Sequence, residues 1–252
     1  MKVITSNIRF DNPDDGVNTW IKRKDSLFDL LNSCKPQIIA TQEGREPQLR
    51  ELEDALDGFS LSDENRDWIA QRMYPCLYTS SELSVLDSGD LWLSYTPTTA
   101  GTKITNSAFP RLSTWIIAEH KAKKFLVVNL HLDHTTDDVR IEQALIIIKE
   151  IKKINYPKHP LILMGDFNSS PSSEVYRLIL KELSLVDPWT SLSKEEETSY
   201  HRFDGVFDEG VRIDWILHSE EFEALSIELI KKSKNGLFPS DHFPVSCDII
   251  LK

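Results

Sequence analysis

Alternating and continuous apolar runs punctuate the chain almost from its first residue. In residues 2–10, Val3, Thr5, Asn7 and Arg9 share one face and Ile4, Ser6, Ile8 and Phe10 the other, which is the period of a strand. An acidic run of turn formers follows, Asp11-Asn12-Pro13-Asp14-Asp15-Gly16, and is expected to overhang whatever site Asn7 serves. Residues 20–31 carry Ile21, Leu27, Leu30 and Leu31 at helical spacing. Pro36 ends that segment, and residues 37–41 predict a short buried strand that stops at Gln42-Glu43. Further strands are predicted at 74–79, 91–95, 114–119, 125–132, 161–164, 211–217, 225–230 and 245–251. The clearest helix covers 137–154, with Thr135 or Thr136 as cap, Asp137 and Asp138 in its first turn, and Lys149, Lys152 and Lys153 toward its end. Its core-facing stripe is read as Ile141, Leu145, Ile148 and Ile151. A second helix is predicted over 172–183. Residues 96–110 form the longest irregular stretch, expected to face a substrate. No repeat, linker or composition shift interrupts the pattern, which predicts a single domain over 1–252 with mixed strands and helices.

Composition narrows the function. The chain has 252 residues, 40% hydrophobic and 27% charged, enough for a sizeable core. Its formal net charge of −11 argues against a protein whose main task is gripping duplex DNA. The lysines at 121, 123 and 124 and at 231, 232 and 234 lack interleaved aromatics and fit solvated turns. Trp92 and Trp215 sit in apolar runs and are expected in the core. Cys34, Cys76 and Cys247 are far apart, with no Cys-x-x-Cys spacing, as for core thiols in a reducing compartment. The first residues lack a secretory apolar stretch and no run reaches membrane length, so a cytoplasmic protein without membrane partners is expected.

Candidate chemistry lies where apolar runs end. Glu43 follows one strand directly, a position suited to a hard cation that needs few protein oxygens. In Gly165-Asp166-Phe167-Asn168, Asp166 and Asn168 project to one side in extended geometry; Asp166 can take a proton from water while Asn168 orients that water or a phosphate oxygen. His242, in Ser240-Asp241-His242, paired with a carboxylate such as Asp214, would stay protonated and steady negative charge. His131 and His134 bracket Asp133, but their spacing is unlike a helical zinc signature, and a phosphate contact suits His131 better. Each motif alone also fits an ordinary strand-end turn.

Taken in order, Asn7, Gln42-Glu43, His131-Leu132-Asp133-His134, Gly165-Asp166-Phe167-Asn168, Arg212-Ile213-Asp214 and Ser240-Asp241-His242 resemble the endonuclease/exonuclease/phosphatase superfamily across almost the whole chain. Asp87-Ser88-Gly89, Trp92-Leu93-Ser94 and Pro97, with Arg111 and Trp115, resemble a compact bacterial branch of it. The resemblance implies an α/β four-layer sandwich, two packed mixed β-sheets flanked by helices. It implies Mg²⁺ or Mn²⁺ held by Glu43 as principal ligand, with Asn7 and Asp241 alongside. It assigns Asp166 to the attacking water with Asn168 beside it, pairs Asp214 with His242, and puts His131 on the phosphate. Arg111, Asp133, His134 and Arg72 are expected at the substrate. In one departure, relatives usually carry a Glu just before the strand at 74–79, where this chain has Ala70-Gln71-Arg72-Met73.

The expected reaction is in-line attack of water on a phosphodiester or phosphomonoester. A small phosphorylated molecule or a short single-stranded nucleic acid is favoured as substrate over duplex DNA. The alternatives are a DNA or RNA nuclease and a non-catalytic phosphate-binding protein. The second fits poorly with keeping Glu43, Asp166, Asn168, Asp214 and His242 together.

Overall fold

The computed structural model describes residues 1–64, 66–155, 158–205 and 210–252. Its strands in chain order are β1 (Lys2–Asn7), β2 (Ile38–Gly44), β3 (Phe59–Leu61), β4 (Tyr74–Ser80), β5 (Ser84–Trp92), β6 (Leu112–His120), β7 (Lys123–His131), β8 (Leu161–Asp166), β9 (Leu185–Val186), β10 (Asp214–Ser219), β11 (Phe222–Leu229) and β12 (Val245–Leu251). Helices are α1 (Trp20–Cys34), α2 (Glu46–Ala55), α3 (Asp137–Ile154), α4 (Glu174–Leu183) and the short α5 (Pro188–Ser191). The strands form two six-stranded mixed sheets, ordered β11-β12-β1-β2-β4-β3 and β5-β6-β7-β8-β10-β9. In each, one central pair is parallel, β1 with β2 and β7 with β8, and each of these connections runs through a helix, α1 or α3.

Three apolar clusters make the layers. Val3, Ile38, Ala40, Val127, Ile162, Met164, Ile216 and Val245 fill the space between the sheets. Leu27 and Leu31 of α1 and Leu49 and Leu52 of α2 cover the outer face of the first sheet with Ile4 and Ile39. Ala144, Ile147, Ile148 and Ile151 of α3 and Val175 and Ile179 of α4 cover the second with Val128 and Leu163. This is the expected α/β sandwich.

Several local expectations need correction. In α1, Ile21 is 68% exposed and Arg23 takes the buried position, where it donates to the carbonyls of Ile8, Arg9 and Pro239. Those bonds satisfy the end of β1 and the loop before β12 at once. In α3, Leu145 is 51% exposed; the buried stripe is Val139, Gln143, Ala144, Ile147, Ile148 and Ile151. The helix is rotated because Gln143 Oε1 accepts the Asp133 N–H at 2.8 Å. β5 begins earlier and ends earlier than its apolar run, and β10 starts at Asp214 because Arg212 before it turns to Asp187 and Glu196. α2 was not predicted, since Leu49 and Leu52 are too few to reveal its period. Trp92, Trp215 and Cys247 are buried as expected, Trp215 stacking on Phe167 with centroids 4.2 Å apart.

The space between the sheets changes character along the strands. Inner residues run Val3, Thr5, Asn7 on β1; Ile38, Ala40, Gln42 on β2; Val127, Asn129, His131 on β7; and Ile162, Met164, Asp166 on β8. Gln42 Nε2 bridges the sheets, donating to Thr5 Oγ1 at 3.0 Å and Asn129 Oδ1 at 2.7 Å. Apolar packing thus gives way to a satisfied polar layer and then to charged groups at one edge of the sandwich.

Candidate active site

Asp166 occupies the middle of that edge. Its Oδ2 accepts from Asn7 Nδ2 at 2.9 Å and lies 3.3 Å from His131 Nε2 and 4.0 Å from His242 Nε2; its Oδ1 accepts from the Asn168 N–H at 2.9 Å. Burial, and next the charge of Asp214, push this carboxyl up to about 7, against the pull of His242, Asn7 and Asn168. The chain bends here on Gly165, whose φ is +142° and whose added Cβ would stand 2.0 Å from the Leu130 carbonyl oxygen. That contact leaves room for glycine alone. Asn168, at φ 48°, sends Nδ2 to the Leu132 carbonyl at 3.0 Å, tying β8 to β7.

The two histidines beside Asp166 are in opposite states. His242 Nδ1 is 2.8 Å from Asp214 Oδ2, and Ser199 Oγ donates to the same oxygen at 2.7 Å. Burial lowers the pKa of His242, but the charge and hydrogen bond of Asp214, with Asp166 and Asp241 behind, carry it well above the ordinary imidazole value. His131 is held well below that value by burial and then by Arg111. An Arg111 Nη lies 3.0 Å from His131 Nδ1. A guanidinium only donates, so Nδ1 accepts and the proton sits on Nε2, facing Asp166. Arg111 is buried, its other Nη is 3.3 Å from His134 Nδ1, and its Nε has no partner.

On the facing sheet Glu43, next to last in β2 at φ 67°, accepts from Asn7 Nδ2 at 3.2 Å and the Phe10 N–H at 3.3 Å. Asp241 lies 4.0 Å from Arg9 Nε. A cavity of about 550 Å³ opens over these groups and is lined by Glu43, Asp166, Asn168, Asp241, His131, His134 and His242. Arg9, Arg45, Arg72 and Arg111 line it too.

The oxygen donors Glu43, Asp166 and Asp241 around one cavity, with the Asn7 amide between two of them, suit a hard cation. A second group, Asp166, Asp214 and His242, brings one ligand atom each to within 4.8 Å of one another and could also hold a metal. Its members His242 and Asp214 already satisfy each other, which favours the set around Glu43.

The fold brings Asn7, Glu43, Arg72, Arg111, His131, His134, Asp166, Asn168, Asp214, Asp241 and His242 to one edge. Asp133 is different. Expected at the substrate, it is fully buried and off the cavity wall, accepting from Ser107 Oγ, the Ala108 N–H, the Thr135 N–H and Thr135 Oγ1. It clamps the end of the 96–110 segment, whose Phe109 and Pro110 border the cavity. The acidic loop also has another place: Asp15 pairs with Arg9 through two bonds of 3.0 and 2.9 Å, and residues 11–15 do not line the cavity. Arg9, Arg45, Phe109 and Tyr200 were not singled out from the sequence, where no spacing marks them. Tyr200 joins the wall through a bridge to His242, their rings 4.8 Å apart.

Two packed sheets thus bring carboxylates, imidazoles and guanidiniums together at one edge, groups suited to a cation and a phosphate. The sequence pattern of the Endonuclease/Exonuclease/phosphatase family matches residues 4–242, and the chain belongs to that family. Its members are hydrolases acting on phosphoester bonds and generally use divalent metals. A family member from Bacteroides vulgatus superposes with a TM-score of 0.92 at 28% identity, over 100% of this chain and 98% of that one. The mannosyl-6-phosphatase of Bacteroides thetaiotaomicron gives a TM-score of 0.90 at 25% identity, over 99% of both. A "Probable CCR4-Not complex 3'-5'-exoribonuclease subunit Ccr4" of Vairimorpha ceranae is 30% identical over 173 residues, 56% of this chain and 35% of that protein. This chain thus spans about a third of the length of that curated relative. Among the described residues, no helix is long and apolar enough to cross a membrane.

Proposed function

We propose that this protein is a divalent-cation-dependent phosphoesterase that hydrolyses a small phosphorylated molecule by in-line attack of water. The observation that carries it is Asp166: a buried carboxyl poised near neutrality, flanked by a neutral and a charged imidazole, in a cavity lined by four arginines.

In this reading Glu43 holds Mg²⁺ or Mn²⁺ with Asn7 and Asp241, and the bound cation supplies charge neutralisation at the phosphate. Asp166 takes the proton of the attacking water, and Asn168 orients that water. His131, donating from Nε2 and braced by Arg111, contacts a phosphate oxygen. Arg111 offers its unpartnered Nε to the same phosphate, with His134 and Arg72 farther along the wall. His242, charged through Asp214, steadies the departing oxygen. The free cysteines are in keeping with a reducing, cytoplasmic setting.

A cavity of about 550 Å³, in a chain of net charge −11, favours a compact substrate over a duplex track. The mannosyl-6-phosphatase relative supports a small phosphomonoester; the exoribonuclease relative supports a short single strand as the second reading. A panel of mono- and diesters, including a sugar phosphate and a short RNA, assayed with Mg²⁺ and with Mn²⁺, tests both. Turnover of the sugar phosphate above the RNA bears out the first, and the reverse order replaces it with the second. No turnover of any ester with either metal removes both.

A further inference from the structure

Arg45 and Arg72 line the cavity without a task in the hydrolytic step. Sheet packing sets where each group stands: β12 faces β10, β1 faces β8 and β10, β2 faces β7 and β8, and β4 faces β6 and β7. His242 and Asp214 therefore mark one side of the opening, Asn7 and Asp166 its middle, and Arg111 and Arg72 the other side, just before β6 and β4. Gly44 at the end of β2 pairs with Tyr74 at the start of β4. Arg45 and Arg72 are thus brought to adjoining strand ends, on the side away from His242.

The chain carries 40 acidic residues against 29 basic ones, so a guanidinium readily finds a carboxylate. Arg9, Arg50, Arg66, Arg140 and Arg212 each have one. Among the described residues, Arg45 and Arg72 have none within 4.0 Å, and the Nε of each is buried without a partner. Among the same residues, Arg23, Arg111 and Arg177 share with them the lack of a carboxylate partner. Arg45 is nonetheless held in place. One Nη donates to the Asp11 carbonyl at 2.9 Å, and its guanidinium lies 4.9 Å from the centroid of Phe10. Two cations at adjoining strand ends on one cavity favour an anion placed between them. Arg45, fixed beforehand, binds that anion with little reordering.

We propose that Arg45 and Arg72 form a second anion subsite, so that the preferred substrate carries another anionic group, phosphate or carboxylate, besides the phosphoester that is cut. This rests on the phosphoesterase reading above and adds to it the chemical class of substrate.

The test is competitive inhibition of 4-nitrophenyl phosphate or bis(4-nitrophenyl) phosphate hydrolysis, with Mg²⁺ in excess of every inhibitor. Glycerol 3-phosphate offers one anionic group, 3-phosphoglycerate adds a carboxylate, and 2,3-bisphosphoglycerate adds both a carboxylate and a second phosphate. The wild type should bind the second or third compound at least about tenfold more tightly than the first, the gain of one charge-assisted contact. Whichever compound shows the gap identifies the preferred group. Arg72→Gln and Arg45→Gln should each shrink that ratio toward one. A general structural defect would weaken all three compounds alike and leave the ratio intact. Equal inhibition by all three in the wild type, or a gap that survives both substitutions, overturns the subsite while the phosphoesterase reading stands. Failure of the wild type to cleave either aryl ester removes the parent reading, and the subsite with it.

Discussion

Asn7 at the end of β1 and Asp166 at the end of β8 meet across the two sheets, Nδ2 of the first 2.9 Å from Oδ2 of the second. The Asn7 Oδ1 accepts the Arg9 N–H at 3.0 Å, which leaves the amide nitrogen to Asp166 and Glu43. One carboxamide therefore links the residue proposed to activate water with the residue proposed to hold the cation. Asp166 is thus placed in part by the facing sheet, and Glu43 by its neighbour strand β1.

Asp166→Asn and His242→Ala should each lower turnover of an aryl phosphoester by about 10²–10⁴-fold, the range for a positioned acid or base. Far-ultraviolet circular dichroism should be unchanged. Because the two groups share one buried cluster, the double variant should lose much less than the product of the two effects. Near-normal rates in both single variants would remove the assigned roles.

Glu43→Gln should weaken Mg²⁺ or Mn²⁺ binding measured by calorimetry, and chelation by EDTA should stop turnover until the metal is restored. Wild-type activity that persists in EDTA would contradict a cation role for this edge.

Gly165→Ala should destabilise the protein by more than about 2 kcal/mol in denaturant titration, since strained backbone and overlap both contribute. The new Cβ would meet the Leu130 carbonyl oxygen at 2.0 Å, and backbone cannot yield as a flexible side chain does. A shift below about 0.5 kcal/mol would mean that β7 and β8 are not held this closely.

Asp133 sets a pH dependence of stability. Burial would raise its pKa, but Ser107 and Thr135 hydrogen bonds and the charge of Arg111 bring it from 3.8 down to about 2. A carboxyl with a depressed folded-state pKa contributes above its unfolded value and loses that contribution as pH falls through the folded one. Wild type should therefore exceed Asp133→Asn by about 2 kcal/mol at neutral pH, with the gap closing between roughly pH 4 and pH 2. A gap independent of pH over that window would assign the loss to packing instead.

Duplex DNA should bind weakly at physiological salt, because the net charge of −11 opposes a polyanion. The exposed lysines support this: Lys231 pairs with Glu197 and Lys234 with Asp29. Tight binding with a steep salt dependence would reverse the preference for a compact substrate.

Much of this molecule was legible in the chain. Strands with period-two or continuous apolar runs, such as β1, β7, β8 and β12, and the capped helix α3 follow from patterns that local sterics and burial enforce. The residues at their ends, Asn7, Glu43, His131 and Asp166, could be nominated because strand ends expose polar side chains beside a buried sheet. What the chain could not state was which partner each would meet. Arg23 and Gln143 turned inward against the apolar pattern because carbonyl and amide groups from distant segments required donors and acceptors there. Asp133 left the expected substrate wall because the 96–110 segment closed over it. His131 is held low by burial and then by Arg111, and His242 is carried high by Asp214, partners 20 and 28 residues away along the chain. Local sequence determined the elements and the residue types at their ends; long-range packing decided the contacts, because burial and electrostatics act through space and take no account of distance along the chain.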